Sequence, residues 1–211
     1  MLRLFSRIDN SAMAAGRQAA GTKPTVAIDV DGTLANVFPV VVSLVNNQKD
    51  THYSYKSMDR WSPEMLGVSH QEFHAKYIEA WKDHWHEIMP LVESAPLEAL
   101  ARNANVYLLT GMDPELVPSL RKWLRDRFPS VAEKISICGV ESMKRKLAWG
   151  FDALVDDSPD VAQCGMGHRL DLLVSQPYNA QAHLGPNTIR VSSTAEAIRA
   201  LNTSLLRKGA H

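Results

Sequence analysis

Two carboxylates, Asp29 and Asp31, stand one residue apart where the apolar run Val26-Ala27-Ile28 gives way to Gly32, Thr33 and Leu34. Read as the tip of a β-strand, the run turns both acids to one face and Val30 to the other, because side chains alternate along a strand. Two like charges held that close cost free energy unless a cation lies between them. A divalent, oxygen-seeking ion such as Mg2+ is the natural partner, since it takes one or two carboxylates and fills its other positions with water and phosphate oxygens. The chemistry this tip suggests is therefore metal-assisted work on a phosphate group.

A site of that kind needs help from neighbouring strand ends, and three other segments offer it. Val106-Tyr107-Leu108-Leu109-Thr110-Gly111 is an apolar strand ending in a hydroxyl and a glycine. Thr110 can donate to a phosphate oxygen while the Gly111 amide approaches unobstructed, although the same pair also ends many strands as a plain turn. Ala153-Leu154-Val155-Asp156-Asp157-Ser158-Pro159 repeats the opening design. Asp156 and Asp157 are candidate metal ligands; the alternative is that Asp157 or Ser158 caps a helix starting at Pro159. Met143-Lys144-Arg145-Lys146 supplies cations that could neutralise a phosphoryl group, or else forms a solvated helix face.

The elements that must position these groups alternate as in an α/β sheet. Strands are expected over 106–110, 135–138, 153–155, 171–174 and 188–191, and helices over 38–45, 93–102, from Pro114 or Pro118 to Phe128, 141–149 and 159–165. A Ser193/Glu196 capping box opens a final helix. Strands separated by helices predict a Rossmann-like, doubly wound parallel sheet, which binds ligands beyond the carboxyl ends of its strands. Residues 51–90 interrupt this order with crowded aromatics and histidines, and Phe73, Tyr77 and Trp81, spaced by four, share one face of a helix that begins near Ser69. The reading is a catalytic core over 24–36 and 91–211, with a small helical cap over 37–90 inserted after the first strand. Residues 1–23 form an extension with four cations, Arg3, Arg7, Arg17 and Lys23, against the single acid Asp9. Its composition reads as a tail or arm, although an organelle transit peptide has a similar composition.

With 211 residues and 45% hydrophobic content the chain can bury a core, and its 23 basic and 23 acidic residues cancel to a net charge of +0. That balance argues against nucleic acid as the default partner. Cys138 and Cys164, far apart and without CxxC spacing, suggest neither disulfides nor a thiolate metal site, so a cytoplasmic, reducing setting is expected. No apolar run reaches the ~18 residues of a membrane span, and no secretory leader is expected. Pairing of two copies as a homodimer is left open.

Taken together and in this order, the segments resemble the haloacid dehalogenase superfamily. Asp29-Val30-Asp31-Gly32-Thr33 matches its first motif, Thr110-Gly111 the second, a lysine the third and Asp156-Asp157-Ser158-Pro159-Asp160 the fourth. A narrower similarity is to the 5'(3')-deoxyribonucleotidases and their bacterial and phage relatives. Those proteins carry a helical cap soon after the first motif and a Lys-x9-Asp-Asp arrangement that Lys146 and Asp156-Asp157 reproduce; Gln176-Pro177-Tyr178-Asn179 contains the Pro-Tyr-Asn of some of them. Thr110 is followed by glycine where nucleotidases usually carry serine.

The resemblance implies a Mg2+-dependent phosphate monoester hydrolase. Asp29 would be nucleophile and ligand, Asp31 acid and base with its carbonyl on the metal, and Asp157, with Asp156 beside it, would complete the metal site. Thr110, Gly111 and Lys146 would bind phosphate. A (deoxy)nucleoside monophosphate is the expected substrate, with a nucleic-acid 3'-phosphate or a sugar phosphate as alternatives and a non-enzymatic phosphate- or partner-binding relative as the rival. Phe73, Tyr77 and Trp81, with Trp61 and Trp85, would offer a stacking face for a base or simply pack the cap. His70, His74, His84 and His86 raise zinc as a further reading.

Overall fold

The computed structural model describes residues 23–58, 62–140, 150–163 and 169–208. Lys144, Arg145 and Lys146, the helix expected over 141–149, Trp61, Cys164 and residues 1–22 lie outside the described residues.

Six parallel strands make the main sheet: β1 (Thr25–Asp29), β4 (Asn105–Thr110), β5 (Ser136–Gly139), β6 (Ala153–Asp156), β7 (Leu170–Val174) and β8 (Thr188–Val191), in the order β5-β4-β1-β6-β7-β8. The chain starts in the middle, builds outward through β4 and β5, then returns to the other flank of β1 to lay down β6, β7 and β8. That reversal opens a crevice at the carboxyl end of β1, between β4 and β6. Alternation along the strands feeds two cores. Val26, Ile28, Leu108 and Val155 join the larger hydrophobic cluster, while Ala27, Leu109 and Leu154 join a smaller one with Phe151 and Val161. Burial on both faces is what a sheet covered by helices on each side requires.

The helices fall where periodicity expects them. They are α1 (Phe38–Lys49), α2 (His70–Asp83), α3 (Ser94–Asn103), α4 (Val117–Arg127), the short α5 (Pro159–Gln163) and α6 (Thr194–Lys208). Ser69 caps α2 in a complete capping box: its hydroxyl accepts from the Glu72 amide at 3.2 Å, and the Glu72 carboxylate accepts from the Ser69 amide at 2.8 Å. At α6 the expected box is divided. Ser193 accepts from the Glu196 amide at 3.2 Å, but the Glu196 carboxylate reaches back to the Ser192 amide at 2.7 Å.

An antiparallel pair, β2 (Ala35–Asn36) and β3 (Met89–Pro90), brackets the stretch that carries α1 and α2, and beside it the Leu91 amide donates to the Leu34 carbonyl at 2.9 Å. Helix α2 shares the larger hydrophobic cluster with the sheet and α4: Trp81, fully buried, meets the Trp123 ring edge-on at 6.0 Å. Lys49–Glu72 ties α2 to α1, and Lys82–Glu115 and His74–Asp113 tie it to the turn before α4. No described helix is long and apolar enough to cross a membrane.

Candidate active site

Register brings the chemical groups together. Asp29 lies opposite Leu109 on β4, one residue before Thr110, and Ile28 lies opposite Val155 on β6, one residue before Asp156. Asp29, Asp156 and Asp157, all buried, each present a carboxylate oxygen within 4.8 Å of the others. At that spacing each ionised pair repels by roughly 3 kcal/mol at an effective dielectric of about 20. An all-carboxylate set of this kind suits a hard, oxygen-seeking cation, and Mg2+ fits it.

Asp31 does not join this trio, which corrects the symmetric clamp expected from strand alternation. β1 ends at Asp29, and the chain turns at Val30, whose carbonyl accepts from the amides of Leu34 at 2.9 Å and Ala35 at 2.7 Å. The period of two therefore stops short of Asp31. Its carboxylate instead accepts from two side chains of α2, the Tyr77 hydroxyl on Oδ2 at 2.8 Å and the Trp81 indole Nε1 on Oδ1 at 3.0 Å. Burial, reinforced by the Asp31 charge, pushes the Tyr77 phenol well above its usual range, so it remains a donor.

Gly32 makes the turn possible. Its φ of +82° is in the left-handed region, and a Cβ there would stand 2.3 Å from Asp157 Oδ2, 2.7 Å from the Tyr178 hydroxyl and 2.9 Å from Phe38 Cε2. The turn is also held from across the sheet. Gln176 Nε2 donates to the Gly32 carbonyl at 2.6 Å, and the Thr194 hydroxyl donates to the Thr33 carbonyl.

Asp157 is positioned by Thr33, Tyr178 and Asn179. Thr33 donates to its Oδ1 at 3.0 Å and the Tyr178 hydroxyl donates to its Oδ2. Asn179 Nδ2 fixes the backbone by donating to the Asp157 carbonyl at 2.8 Å and the Val174 carbonyl at 2.7 Å. A carboxylate oxygen has two lone-pair directions, so accepting a hydrogen bond of this kind does not by itself prevent it from ligating a cation. The Gln-Pro-Tyr-Asn segment was a signal for Tyr178 and Asn179; Tyr55, which donates to Gln176 at 2.8 Å and stacks on Phe38 at 5.9 Å, carried none. Burial pushes Tyr178 upward, with the Asp157 charge next in weight. It also drives Tyr55 up to about 12, against a lowering hydrogen bond from Tyr178.

Helix capping falls to other residues. Asp156 Oδ1 accepts from the Ser158 amide at 2.8 Å, and Ser158 Oγ accepts from the Asp160 amide at 3.3 Å. Asp157 is thus left to the site while Asp156 serves both. Thr110 is buried and accepts from the Met112 amide at 3.1 Å, which keeps its own proton available to donate. Gly111 is exposed, and a Cβ there would meet nothing nearer than the Val140 carbonyl at 4.0 Å, so open space adjoins its amide.

The cap aromatics stand differently from an open stacking wall. Phe73 and Trp81 are buried in the shared core, and Tyr77 is half-buried with its hydroxyl on Asp31. The histidines pair with three carboxylates, His70 with Glu64 at 3.2 Å, His74 with Asp113 at 3.1 Å, and His84 and His86 both with Glu87, at 2.7 and 3.7 Å. Among the described residues, only the three buried aspartates form a group able to hold a metal ion.

No family model matches the sequence, and no curated protein matches it significantly. Solved structures do match in fold. A HAD hydrolase of family IA, variant 3, from Entamoeba histolytica aligns with a TM-score of 0.52 at 14% identity, covering 87% of this chain and 99% of that one. A predicted phosphoglycolate phosphatase from Haemophilus somnus gives 0.56 at 16%, covering 85% and 98%. Protein tyrosine kinase A of Mycobacterium tuberculosis gives 0.55 at 18%, covering 88% and 99%. The chain has the α/β fold of these solved structures, a fold that hosts more than one chemistry.

Proposed function

We propose that this chain is a Mg2+-dependent phosphate monoester hydrolase of the haloacid dehalogenase superfamily, with (deoxy)nucleoside monophosphates as its substrates. The observation that carries the reading is the buried trio of Asp29, Asp156 and Asp157 at the strand crossover, with Thr110 one residue beyond the position opposite Asp29. Asp29, Asp156 and Asp157, with the Asp31 carbonyl, would hold Mg2+, which when bound neutralises charge on the phosphoryl oxygens.

The residues of the chain divide the work. A carboxylate oxygen of Asp29 forms a bond to phosphorus as the ester P–O bond breaks, and the departing alkoxide takes its proton from the Asp31 carboxyl. Water then attacks the aspartyl-phosphate phosphorus and gives a proton to the Asp31 carboxylate, releasing phosphate and restoring Asp29. Thr110, the Gly111 amide and Lys146 counter the charge on the transferred group, so positioning and electrostatics supply most of the acceleration.

The nucleotidase assignment is supported by the Lys-x9-Asp-Asp spacing, by the place of the insertion, and by the Pro-Tyr-Asn segment whose Tyr178 and Asn179 hold Asp157. Burial of Phe73 and Trp81 favours one competing substrate class, a small phosphorylated metabolite that needs no stacking face. A panel of nucleoside monophosphates, sugar phosphates and 3'-phosphorylated oligonucleotides, with and without Mg2+, decides between them. Turnover is expected to be highest on the nucleotides and to disappear with chelator. Asp29→Asn should abolish it while leaving the folded state intact, and normal turnover in that variant would remove Asp29 as nucleophile.

A further inference from the structure

We propose that Tyr77 and Trp81 are positioning residues for the proton-transfer carboxylate Asp31, so that α2 orients the acid/base group from outside the sheet. The proposal rests on the reading of Asp31 as acid and base. Tyr77 and Trp81 are four residues apart and therefore share one face of α2. They deliver one donor to each oxygen of Asp31, at 2.8 and 3.0 Å. With both oxygens tied in this way, the carboxylate plane is fixed against rotation about its side chain. A carboxylate oxygen has two lone-pair directions, so accepting one such bond is compatible with passing a proton to the leaving alcohol or taking one from water.

The donors are themselves immobilised. Trp81 is fully buried and packs edge-on against Trp123, whose own Nε1 donates to the Ile88 carbonyl at 2.8 Å. Tyr77 stacks on His74 at 6.2 Å, and His74 pairs with Asp113 at 3.1 Å. Lys49–Glu72 at 2.8 Å holds the start of the helix, and Lys82–Glu115 at 3.1 Å holds its end. Such a clamp matters because Asp31 lies past the end of β1, where its backbone makes an isolated bridge to Ala35 and its side chain is held by α2. Loss of either donor would let the carboxylate wander, and a misplacement of about 1 Å costs up to ~100-fold in rate.

The test uses leaving groups that differ in their need for a proton. Nitrophenolate departs without protonation, whereas an alkoxide does not. In the full-length chain with Mg2+, Tyr77→Phe should lower kcat/KM for an alkyl phosphate from the panel above by about tenfold to a hundredfold. For p-nitrophenyl phosphate, the change should be below about threefold. Trp81→Phe should show the same selectivity, and Tyr77→Phe should add no further loss in an Asp31→Asn background. Equal losses on both esters, or losses that add in that background, would overturn the proposal while leaving the hydrolase reading in place. A wild-type chain that hydrolyses neither ester would overturn both.

Discussion

Gly32→Ala is the sharpest test of how the turn and the carboxylate trio depend on one another. The backbone there has φ of +82°, and an added Cβ would press on Asp157 Oδ2 at 2.3 Å, the Tyr178 hydroxyl at 2.7 Å and Phe38 Cε2 at 2.9 Å. A left-handed conformation costs a residue with a Cβ about 1–2 kcal/mol. Overpacking among buried side chains adds about 1–3 kcal/mol, because Asp157 is tied to Thr33 and Phe38 is in the core and neither can simply swing away. Reduced freedom in the unfolded chain returns about 0.4–1 kcal/mol. The net loss is about 1–5 kcal/mol, which for a chain of this size lowers Tm by roughly 2–20 °C. Urea unfolding at neutral pH measures the free energy, and a Mg2+ titration of hydrolysis in the same variant measures the site. The variant should be less stable and should need more Mg2+, since Asp157 is the side chain displaced. A free-energy change below about 1 kcal/mol would refute the claim that this turn requires glycine.

Two further predictions concern the inserted helix. Trp81→Ala removes a fully buried ring from the core that α2 shares with α4, and should cost about 3–5 kcal/mol in denaturant unfolding; lost activity with unchanged stability would mean that α2 is not part of that core. Glu72 is held down to about 2 from an ordinary 4.5, first by the Lys49 ammonium hydrogen-bonded to it and then by Ser69. Its folded value lies below the unfolded one, so its contribution is complete above about pH 4.5 and is lost as pH falls toward 2. Glu72→Gln should therefore flatten the fall of Tm across that window. Salt should shrink the difference because the pair is exposed, and identical Tm profiles for the two proteins would contradict the assignment.

What was legible in the sequence was whatever local pattern determines. Apolar runs of strand length located β1, β4, β6, β7 and β8, and the spacing of Phe73, Tyr77 and Trp81 located α2. Strand tips located Asp29, Thr110, Asp156 and Asp157, because parallel strands in register bring their ends together. Strand alternation does not place Asp31, because β1 ends at Asp29 and the chain turns through Gly32. Tyr77, Trp81 and Tyr178 were themselves legible, but their bonds to Asp31 and Asp157 were not. Tyr77 lies 46 residues from Asp31 and Tyr178 lies 21 from Asp157, and their phenols look the same in sequence whether they fill a core or donate to a carboxylate. Helical spacing announces that Trp81 is buried; it does not announce that its indole N–H ends on Asp31.

The central claim is that Asp29 carries the phosphoryl group. Enzyme quenched in acid during turnover of a phosphate monoester with Mg2+, then reduced with borohydride and digested, should show the reduced carboxyl at position 29, and Asp29→Asn treated alike should show none. A phosphoryl group trapped on another side chain, or Mg2+-dependent turnover at the wild-type rate in Asp29→Asn, would contradict the account.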